Sequence, residues 1–231
     1  MTIYDRALEF VRDGDVVGLG SGRAASAFIE ALARRSQQGL RVAGVPTSRK
    51  SEELARGLGL PVASLEGNVP LALTVDGADE VDLDLNLIKG WGRALVREKV
   101  VAAASRKLVI LVGKQKVVPA LGSRGRLPVE VVPLALPLVR ARAAELGLNP
   151  VPFEQDGRLF VTDNGNHILD CGTGPIDDPS RLEQQLRAVP GVVGTGLFLG
   201  MASTVLIGDE ARDFELIEER RAGDDVGDQG P

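Results

Sequence analysis

Apolar runs of strand length alternate with amphipathic segments of helix length along the first half of the chain. The strand-like runs lie at residues 15–20, 41–45, 61–64, 71–75 and 107–113. Apolar positions at helical spacing lie before and between them, at residues 3–11, 24–38, 48–58 and 93–104. Because strands that alternate with helices form a parallel sheet covered on both faces, the pattern predicts a doubly wound, mostly parallel, Rossmann-like α/β sheet.

The pattern changes beyond residue 126. Strands are predicted at residues 129–132, 150–154, 158–162 and 192–199, and helices at residues 135–146 and 180–188. This order approximates the split βαβ arrangement of a ferredoxin-like unit, with an extra strand at residues 167–171.

The apolar run at residues 204–207 is predicted to return to the first sheet, which makes the second unit an insertion. The sequence therefore predicts a Rossmann-like domain of residues 1–126 plus 201–220, an inserted ferredoxin-like α+β domain of residues 127–200, and a disordered tail of residues 221–231.

Charge and composition restrict the possible partners. The net charge of the 231 residues is −5, and residues 209–231 alone carry nine acidic and three basic side chains. The rest of the chain is therefore close to neutral, and it has no basic stripe interleaved with aromatic residues, so we expect no nucleic-acid partner. No apolar run has membrane-spanning length and the first residues lack a signal-peptide core, so we expect a cytoplasmic protein without a membrane partner.

Cysteine and histidine are scarce, with one of each, Cys171 and His167. A lone cysteine cannot form an internal disulfide, and a lone histidine cannot build a histidine-rich metal site. Both counts fit a reduced compartment.

A glycine-rich turn at residues 18–22 joins the first predicted strand to the next helix. Bare backbone N–H groups and the helix dipole can hold a phosphate at such a turn. The spacing lacks the third glycine of the dinucleotide pattern, and no acidic residue ends the second strand, so an NAD site is not expected. A tight turn without any ligand remains the alternative.

Three carboxylates and one amine lie around two glycine turns that follow the predicted strand at residues 71–75. Asp76 and Asp79 follow this strand, where open α/β sheets place their ligand crevice, although a helix cap plus an Asx turn is the alternative. Lys89 lies beside an apolar pair, with an exposed lysine as the alternative. Glu98 falls on the apolar face of a helix, where burial would raise its pKa toward that of a general base; the alternative is a buried salt bridge.

The segments Val75-Asp76-Gly77-Ala78-Asp79-Glu80, Leu87-Ile88-Lys89-Gly90 and Arg97-Glu98-Lys99 occur in this order, with Gly44-Val45-Pro46-Thr47-Ser48 before them and Leu127-Pro128-Val129-Glu130 after. From about residue 18 to residue 208 the chain closely resembles the type A ribose-5-phosphate isomerase family. The resemblance implies isomerisation of D-ribose 5-phosphate to D-ribulose 5-phosphate through a cis-enediolate, in the non-oxidative pentose phosphate pathway. It implies that the reaction needs no metal and no cofactor. The expected assembly is a homodimer or homotetramer.

The resemblance also implies roles for individual residues. Glu98 would move a proton between C2 and C1 of the sugar, while Asp76, Asp79 and Lys89 would contact sugar hydroxyls and assist proton transfer. The residues expected to bind substrate are Ser21, Gly22, Arg23, Ala24, Asp76, Gly77, Ala78, Asp79, Lys89, Gly90, Trp91, Gly92 and Lys116.

The chain departs from its family at two places. The family loop continues through Thr-Gly-Ser-Thr, whereas this chain has Ser21-Gly22-Arg23-Ala24 and so lacks two hydroxyls. Arg23 either replaces them as a phosphate ligand or is a solvent-exposed side chain. Trp91 and Arg93 replace small residues; Trp91 either crowds the pocket or packs in an interface, and we favour the interface.

Two other functions compete with isomerisation. A non-catalytic or altered-specificity sugar-phosphate-binding protein on the same fold explains the changes at Arg23, Ala24 and Trp91, but it needs no buried base at Glu98. Acyl or coenzyme A transfer would use a glutamate nucleophile, yet no recognisable nucleotide-binding element supports it.

Overall fold

The computed structural model describes residues 1–223. The α-helices in this part of the chain are α1 (Ile3–Leu8), α2 (Arg23–Gln37), α3 (Arg49–Gly57), α4 (Leu95–Ala103), α5 (Leu136–Glu145) and α6 (Pro179–Arg187). The strands are β1 (Val16–Leu19), β2 (Ala43–Pro46), β3 (Leu73–Gly77), β4 (Glu80–Val81), β5 (Leu87–Ile88), β6 (Leu108–Gly113), β7 (Leu127–Val131), β8 (Asn149–Pro152), β9 (Glu154–Gln155), β10 (Arg158–Leu159), β11 (His167–Gly172), β12 (Val192–Thr195), β13 (Leu197–Phe198), β14 (Thr204–Asp209) and β15 (Glu215–Arg221).

The main sheet has six strands in the order β15-β14-β6-β3-β1-β2. Every neighbouring pair is parallel except β14 and β15. From β1 the chain moves outward to β2 and then returns to place β3 on the other side of β1. This reversal opens a crevice at the carboxyl ends of β1 and β3, where open α/β sheets bind their ligands. The predicted doubly wound, mostly parallel sheet is confirmed, including the return of β14.

Strand β15 was not expected from the sequence. It runs antiparallel to β14 at the edge of the sheet, and most of its side chains are charged. An edge strand needs only one paired side, so it carries no continuous apolar run that a sequence pattern could reveal. Arg221, predicted to begin the disordered tail, ends this strand instead. Residues 224–231 of that predicted tail lie outside the described part of the chain.

The second sheet has four antiparallel strands in the order β12-β7-β11-β8, with α5 and α6 in the connections. This is the strand order 4-1-3-2 of a ferredoxin-like unit. The strand predicted at residues 167–171 is present as β11, but the expectation that it is extra to this unit was wrong, because it lies between β7 and β8 and buries Ile168, Leu169 and Cys171. The predicted strand at residues 158–162 is instead part of an exposed β9–β10 hairpin.

A small sheet in the order β13-β5-β4 joins the two larger ones. Leu197 and Phe198, which follow β12, pair with Ile88 and Leu87. The strand predicted at residues 61–64 is reduced to a single bridge between Val62 and Gly44. The four-stranded sheet is formed by strands between residues 127 and 195, and the division of the chain into domains stays a prediction. Within residues 1–223, no helix is long and apolar enough to cross a membrane.

Candidate active site

A cleft of about 110 Å³ lies at the carboxyl ends of β1, β3 and β6, at the reversal point of the main sheet. Most of the predicted catalytic and substrate-binding residues line this cleft, although they come from five separate loops and helices. They are Ser21, Gly22, Arg23, Ala24, Gly77, Ala78, Asp79, Lys89, Gly90, Gly92, Glu98 and Lys116. Asp76 and Trp91 are the two predicted site residues that do not line it.

Glu98 lies in α4, whose buried residues Leu95, Glu98, Val101 and Ala102 share one face of the helix. Only 4% of Glu98 is exposed, and its Oε2 atom lies 3.3 Å from Nζ of Lys89 without an aligned hydrogen-bond partner. Burial raises the pKa of Glu98 to about 8, although the positive charge of Lys89 opposes this shift. A carboxyl group with such a pKa suits proton transfer near neutral pH.

Lys89 follows β5 and is 2% exposed, so the interpretation of it as a surface lysine was wrong. Its Nζ atom lies 3.0 Å from Oδ2 of Asp76 and donates a hydrogen bond to the carbonyl oxygen of Gly77. Burial alone would lower the pKa of Lys89, but the charges of Asp76 and Glu98 outweigh it and raise that pKa. The ammonium group is therefore held charged between two carboxyl groups.

Asp76 lies behind the cleft wall, with 1% of the residue exposed. Its Oδ1 atom accepts hydrogen bonds from the backbone N–H groups of Ser21, at 3.0 Å, and Gly77, at 2.7 Å. A Cβ atom at Gly20 would lie 2.3 Å from this oxygen, so only glycine allows the turn to approach Asp76 so closely. The geometry therefore favours a supporting role for Asp76, and its predicted catalytic role stays a prediction.

Asp79 lines the cleft on the same loop. Its Oδ2 atom accepts a hydrogen bond of 2.9 Å from the backbone N–H of Trp91, and its Oδ1 atom lies 3.9 Å from Nζ of Lys116. Lys116 also donates to the carbonyl oxygen of Ala78 at 2.7 Å. Burial raises the pKa of Asp79 and lowers the pKa of Lys116, so the two side chains are suited to exchange a proton with a bound hydroxyl group.

The turn between β1 and α2 forms another wall. The hydroxyl of Ser21 forms hydrogen bonds with those of Thr47, at 2.9 Å, and Ser48, at 2.8 Å. Gly22 adopts φ 88°, a left-handed conformation that favours glycine, and the 15 residues of α2 follow it. The start of α2 lines the cleft, and no side chain caps the backbone N–H groups there.

Arg23 is 72% exposed, and its guanidinium group is already paired, 2.6 Å from Oε2 of Glu210 and 5.2 Å from the ring centroid of Phe214. Both partners line the cleft. The sequence analysis missed them, because they lie in the acidic segment after β14 and no motif distinguishes them there. Of the two interpretations of Arg23, solvent exposure is observed, and a role in binding phosphate stays a prediction.

Trp91 packs away from the cleft. Its indole Nε1 donates to the carbonyl oxygen of Arg126 at 3.2 Å, and the guanidinium groups of Arg126 and Arg124 lie 4.6 and 5.6 Å from the ring centroid. These partners belong to the same predicted unit as Trp91, residues 1–126, so the favoured interpretation, packing in an interface, stays a prediction. The side chain does not crowd the cleft. Trp91 contributes to the site through its backbone N–H, which donates a hydrogen bond to Asp79.

Together, the fold and the site define an α/β enzyme that moves protons on a small polar substrate. Its buried carboxyl group with raised pKa, next to a buried ammonium group, lies at the reversal point of a parallel sheet. Among residues 1–223, no group of three or more His, Cys, Asp and Glu side chains could hold a metal ion.

Comparison with known proteins identifies the family. Residues 43–212 match the family model of ribose 5-phosphate isomerase A (phosphoriboisomerase A). Ribose-5-phosphate isomerase A of Gloeobacter violaceus is 48% identical over 210 residues, which cover 90% of this chain and 91% of that protein. The protein of the same name from Nitrobacter hamburgensis is 45% identical and covers 93% and 95%. The chain belongs to the ribose 5-phosphate isomerase A family.

Solved structures agree with this assignment. Ribose 5-phosphate isomerase A from Methanocaldococcus jannaschii has a TM-score of 0.88 and 34% identity, covering 95% of this chain and 96% of that one. A D-ribose-5-phosphate isomerase in complex with phospho-erythronic acid has a TM-score of 0.89 and 33% identity, covering 94% and 95%.

Proposed function

We propose that the chain interconverts D-ribose 5-phosphate and D-ribulose 5-phosphate, a step of the non-oxidative pentose phosphate pathway. The observation that carries this proposal is Glu98, a buried carboxyl group with a pKa raised to about 8 that opens into the cleft beside Lys89. A D-ribose-5-phosphate isomerase of the same fold forms a complex with phospho-erythronic acid, a phosphorylated sugar acid, which supports a sugar phosphate as the substrate here.

Glu98 is the proposed base. As a carboxylate it removes the proton from C2 of the open-chain aldose, and the C–H electron pair forms the C1–C2 double bond while the carbonyl pair moves onto O1. Returning the proton to C1 gives the ketose, as O2 loses its proton and O1 gains one. One proton moves from C2 to C1 and one from O2 to O1, so the reaction needs neither an oxidant nor a reductant.

Lys89 supports this transfer electrostatically. Its ammonium group lies between Asp76 and Glu98 and is held charged, so it stabilises the carboxylate of Glu98 before the proton moves. Once Glu98 is protonated, the same charge is available to the negative oxygen of the cis-enediolate. Asp76 holds Lys89 in place and ties it to the turn at Ser21.

Asp79 and Lys116 are proposed to open the sugar ring. Ring opening moves a proton from the anomeric hydroxyl to the ring oxygen, which an acid and a base on one wall of the cleft can assist. The raised pKa of Asp79 and the lowered pKa of Lys116 bring both groups closer to neutral pH. The uncapped start of α2, with Ser21 and Gly22, is the proposed phosphate site.

The direct experiment is to incubate the purified chain with ribose 5-phosphate and follow ketose formation, with and without exhaustive chelation. We expect equal turnover in both samples, because the proposed charges on the enediolate are stabilised by Lys89 and by backbone donors. A folded protein that forms no ketose would contradict the proposal. Activity that returns only with an added divalent ion would contradict its metal-free form.

One observation favours a second candidate, a sugar-phosphate-binding protein of altered specificity. The Arg23–Glu210 pair places a carboxylate in the cleft where the family is expected to offer hydroxyl groups. Calorimetric binding of several pentose and hexose phosphates, compared with their turnover, separates the candidates. Tight binding without turnover of ribose 5-phosphate would favour the second.

The assembly and location of the protein are also proposals. We propose a homodimer or homotetramer, which light scattering coupled to size-exclusion chromatography measures directly. We place the protein in the cytoplasm, since its single cysteine is buried and unpaired and its fold needs no disulfide.

A further inference from the structure

The turn at residues 90–93 reaches the cleft through its backbone. Gly90 and Gly92 line the cleft, and the N–H of Trp91 holds Oδ2 of Asp79 at 2.9 Å. The turn is closed by a hydrogen bond of 2.9 Å from the N–H of Arg93 to the carbonyl oxygen of Gly90. The orientation of Asp79 therefore depends on a short, glycine-rich segment that has little side-chain packing within the cleft.

Arg93 ends this turn in a left-handed conformation, with φ 70°. A residue with a Cβ atom adopts this backbone conformation only at a cost in free energy. Such a conformation persists where the surrounding contacts hold the residue firmly. Here the guanidinium group makes two hydrogen bonds to Asp170, of 2.6 and 2.9 Å, and lies 3.5 Å from the ring centroid of Phe153. The pair is largely buried, with side-chain exposures of 9% and 15%.

Asp170 belongs to β11, in the middle of the four-stranded sheet. Its backbone is fixed there by strand pairing on both sides, to β7 and to β8. The same carboxylate lies 3.6 Å from the guanidinium group of Arg126, whose carbonyl oxygen accepts the indole N–H of Trp91. Arg93, at the end of the turn, is thus bound directly to this carboxylate, and the side chain of Trp91, inside the turn, is linked to it through Arg126.

We propose that Asp170 is a positioning residue that holds the turn at residues 90–93 through Arg93, and so sets the N–H of Trp91 that orients Asp79 in the cleft. The catalytic consequence rests on the proposed function. A planar guanidinium group with two parallel hydrogen bonds fixes both position and angle, which a single contact cannot do. In this way the inserted unit determines the geometry of a site to which it contributes no cleft-lining side chain.

The test compares Asp170→Asn, Arg93→Gly and the double variant. Asp170→Asn keeps the size of the side chain but weakens the paired hydrogen bonds. Arg93→Gly removes the guanidinium group that binds Asp170. Because glycine adopts the left-handed conformation without strain, a loss of activity in this variant reflects lost positioning and not impaired folding. Arg142→Ala is the matched control, because it breaks an exposed ion pair, 2.7 Å long, in the same unit.

The first readout needs no substrate. Trp91 is the only tryptophan of the chain, so its fluorescence reports on the turn alone. We expect emission at longer wavelength and faster exchange of the Trp91 amide in both single variants, and no change in Arg142→Ala. Unchanged emission and exchange in Arg93→Gly and Asp170→Asn would overturn the proposal.

The second readout is turnover of ribose 5-phosphate. We expect kcat/KM to fall roughly 10- to 100-fold in each single variant, since small displacements of a catalytic group have effects of this size. The double variant should be no slower than the slower single variant, because Asp170 acts through Arg93. If the losses of kcat/KM in the two single variants multiplied in the double variant, the proposal would be overturned. A wild-type protein without isomerase activity would contradict the proposed function instead, while fluorescence and exchange still decide whether Asp170 holds the turn.

Discussion

The ammonium nitrogen of Lys89 lies 3.3 Å from Oε2 of Glu98, and both side chains are buried. Lys89 directly follows the two-residue strand β5, and Glu98 lies in α4, which begins six residues after Lys89. The pair keeps a carboxyl group and an ammonium group together out of water, where each shifts the pKa of the other. The mechanism and the pH dependence of the enzyme both follow from this contact.

The carboxyl group of Glu98 is expected to be essential for turnover. Glu98→Gln keeps the shape of the side chain but cannot accept the proton from C2, so kcat should fall by at least roughly 100-fold. Substrate binding, measured calorimetrically, should change little. Glu145→Gln, at an exposed position of α5, is the control and should be fully active. Near-normal turnover of Glu98→Gln would rule out Glu98 as the base.

The pH dependence of kcat/KM should show one rising limb with a midpoint near pH 8. The base works only after losing its proton, and burial raises the pKa of Glu98 to about 8. Initial rates between pH 5 and 9, at substrate concentrations well below KM, measure this limb. A midpoint below pH 6 would mean that the carboxyl group is ionised throughout the neutral range, contrary to the burial argument.

Stability should respond to pH through the same group. The pKa of Glu98 is higher in the folded chain than the ordinary value of 4.5, so the folded state binds the proton more tightly. The free energy of unfolding therefore decreases as pH rises from about 4.5 through 8, and Glu98→Gln lacks this loss. The Tm of the variant minus that of the wild type should increase between pH 5 and 8 in calorimetric scans. A constant difference would contradict the prediction.

Removing Lys89 should destabilise the fold as well as inactivate the enzyme. Lys89→Met leaves Asp76 and Glu98 buried without their cation, and loss of one partner of a buried ion pair costs about 3–5 kcal/mol. Urea unfolding at pH 7 measures this cost. Because the pKa of Glu98 is about 8 with Lys89 present and rises further without it, the destabilisation should grow as the pH rises from 7 to 9. Exposed Lys50→Met is the control and should unfold like the wild type.

Arg23 and Glu210 should be energetically coupled in phosphate binding. If Arg23 binds the phosphate, Arg23→Ala raises KM, by roughly 10- to 100-fold if a charge-assisted hydrogen bond is lost. Glu210→Gln frees the guanidinium group and should lower KM for ribose 5-phosphate. In the Arg23→Ala background, Glu210→Gln should have a smaller effect. Steady-state kinetics of the wild type, the two single variants and the double variant completes this double-mutant cycle. An unchanged KM in Arg23→Ala would show that Arg23 does not bind the phosphate.

Much of the fold and part of the site follow from local patterns in the sequence. The alternation of strand-like and helical segments predicted the doubly wound sheet, because the spacing of apolar residues within each segment shows which type of element it forms and which face is buried. The same reasoning placed Glu98 on a buried helix face, which the structure shows. The glycine turns and the carboxylates after the strand at residues 71–75 marked the cleft, since the carboxyl ends of parallel strands meet at one edge.

The tertiary structure decided the partners. Arg93 and Asp170 are 77 positions apart, and the acidic segment that brings Glu210 to the cleft has no motif of its own. The sequence could not show that Asp76 lies behind the wall, that Trp91 turns away, or that β11 is a central strand. Periodicity indicates which side chains are buried, but not which residues they contact. Long-range contacts depend on how sheets and helices pack against one another, and not on the order of residues along each element.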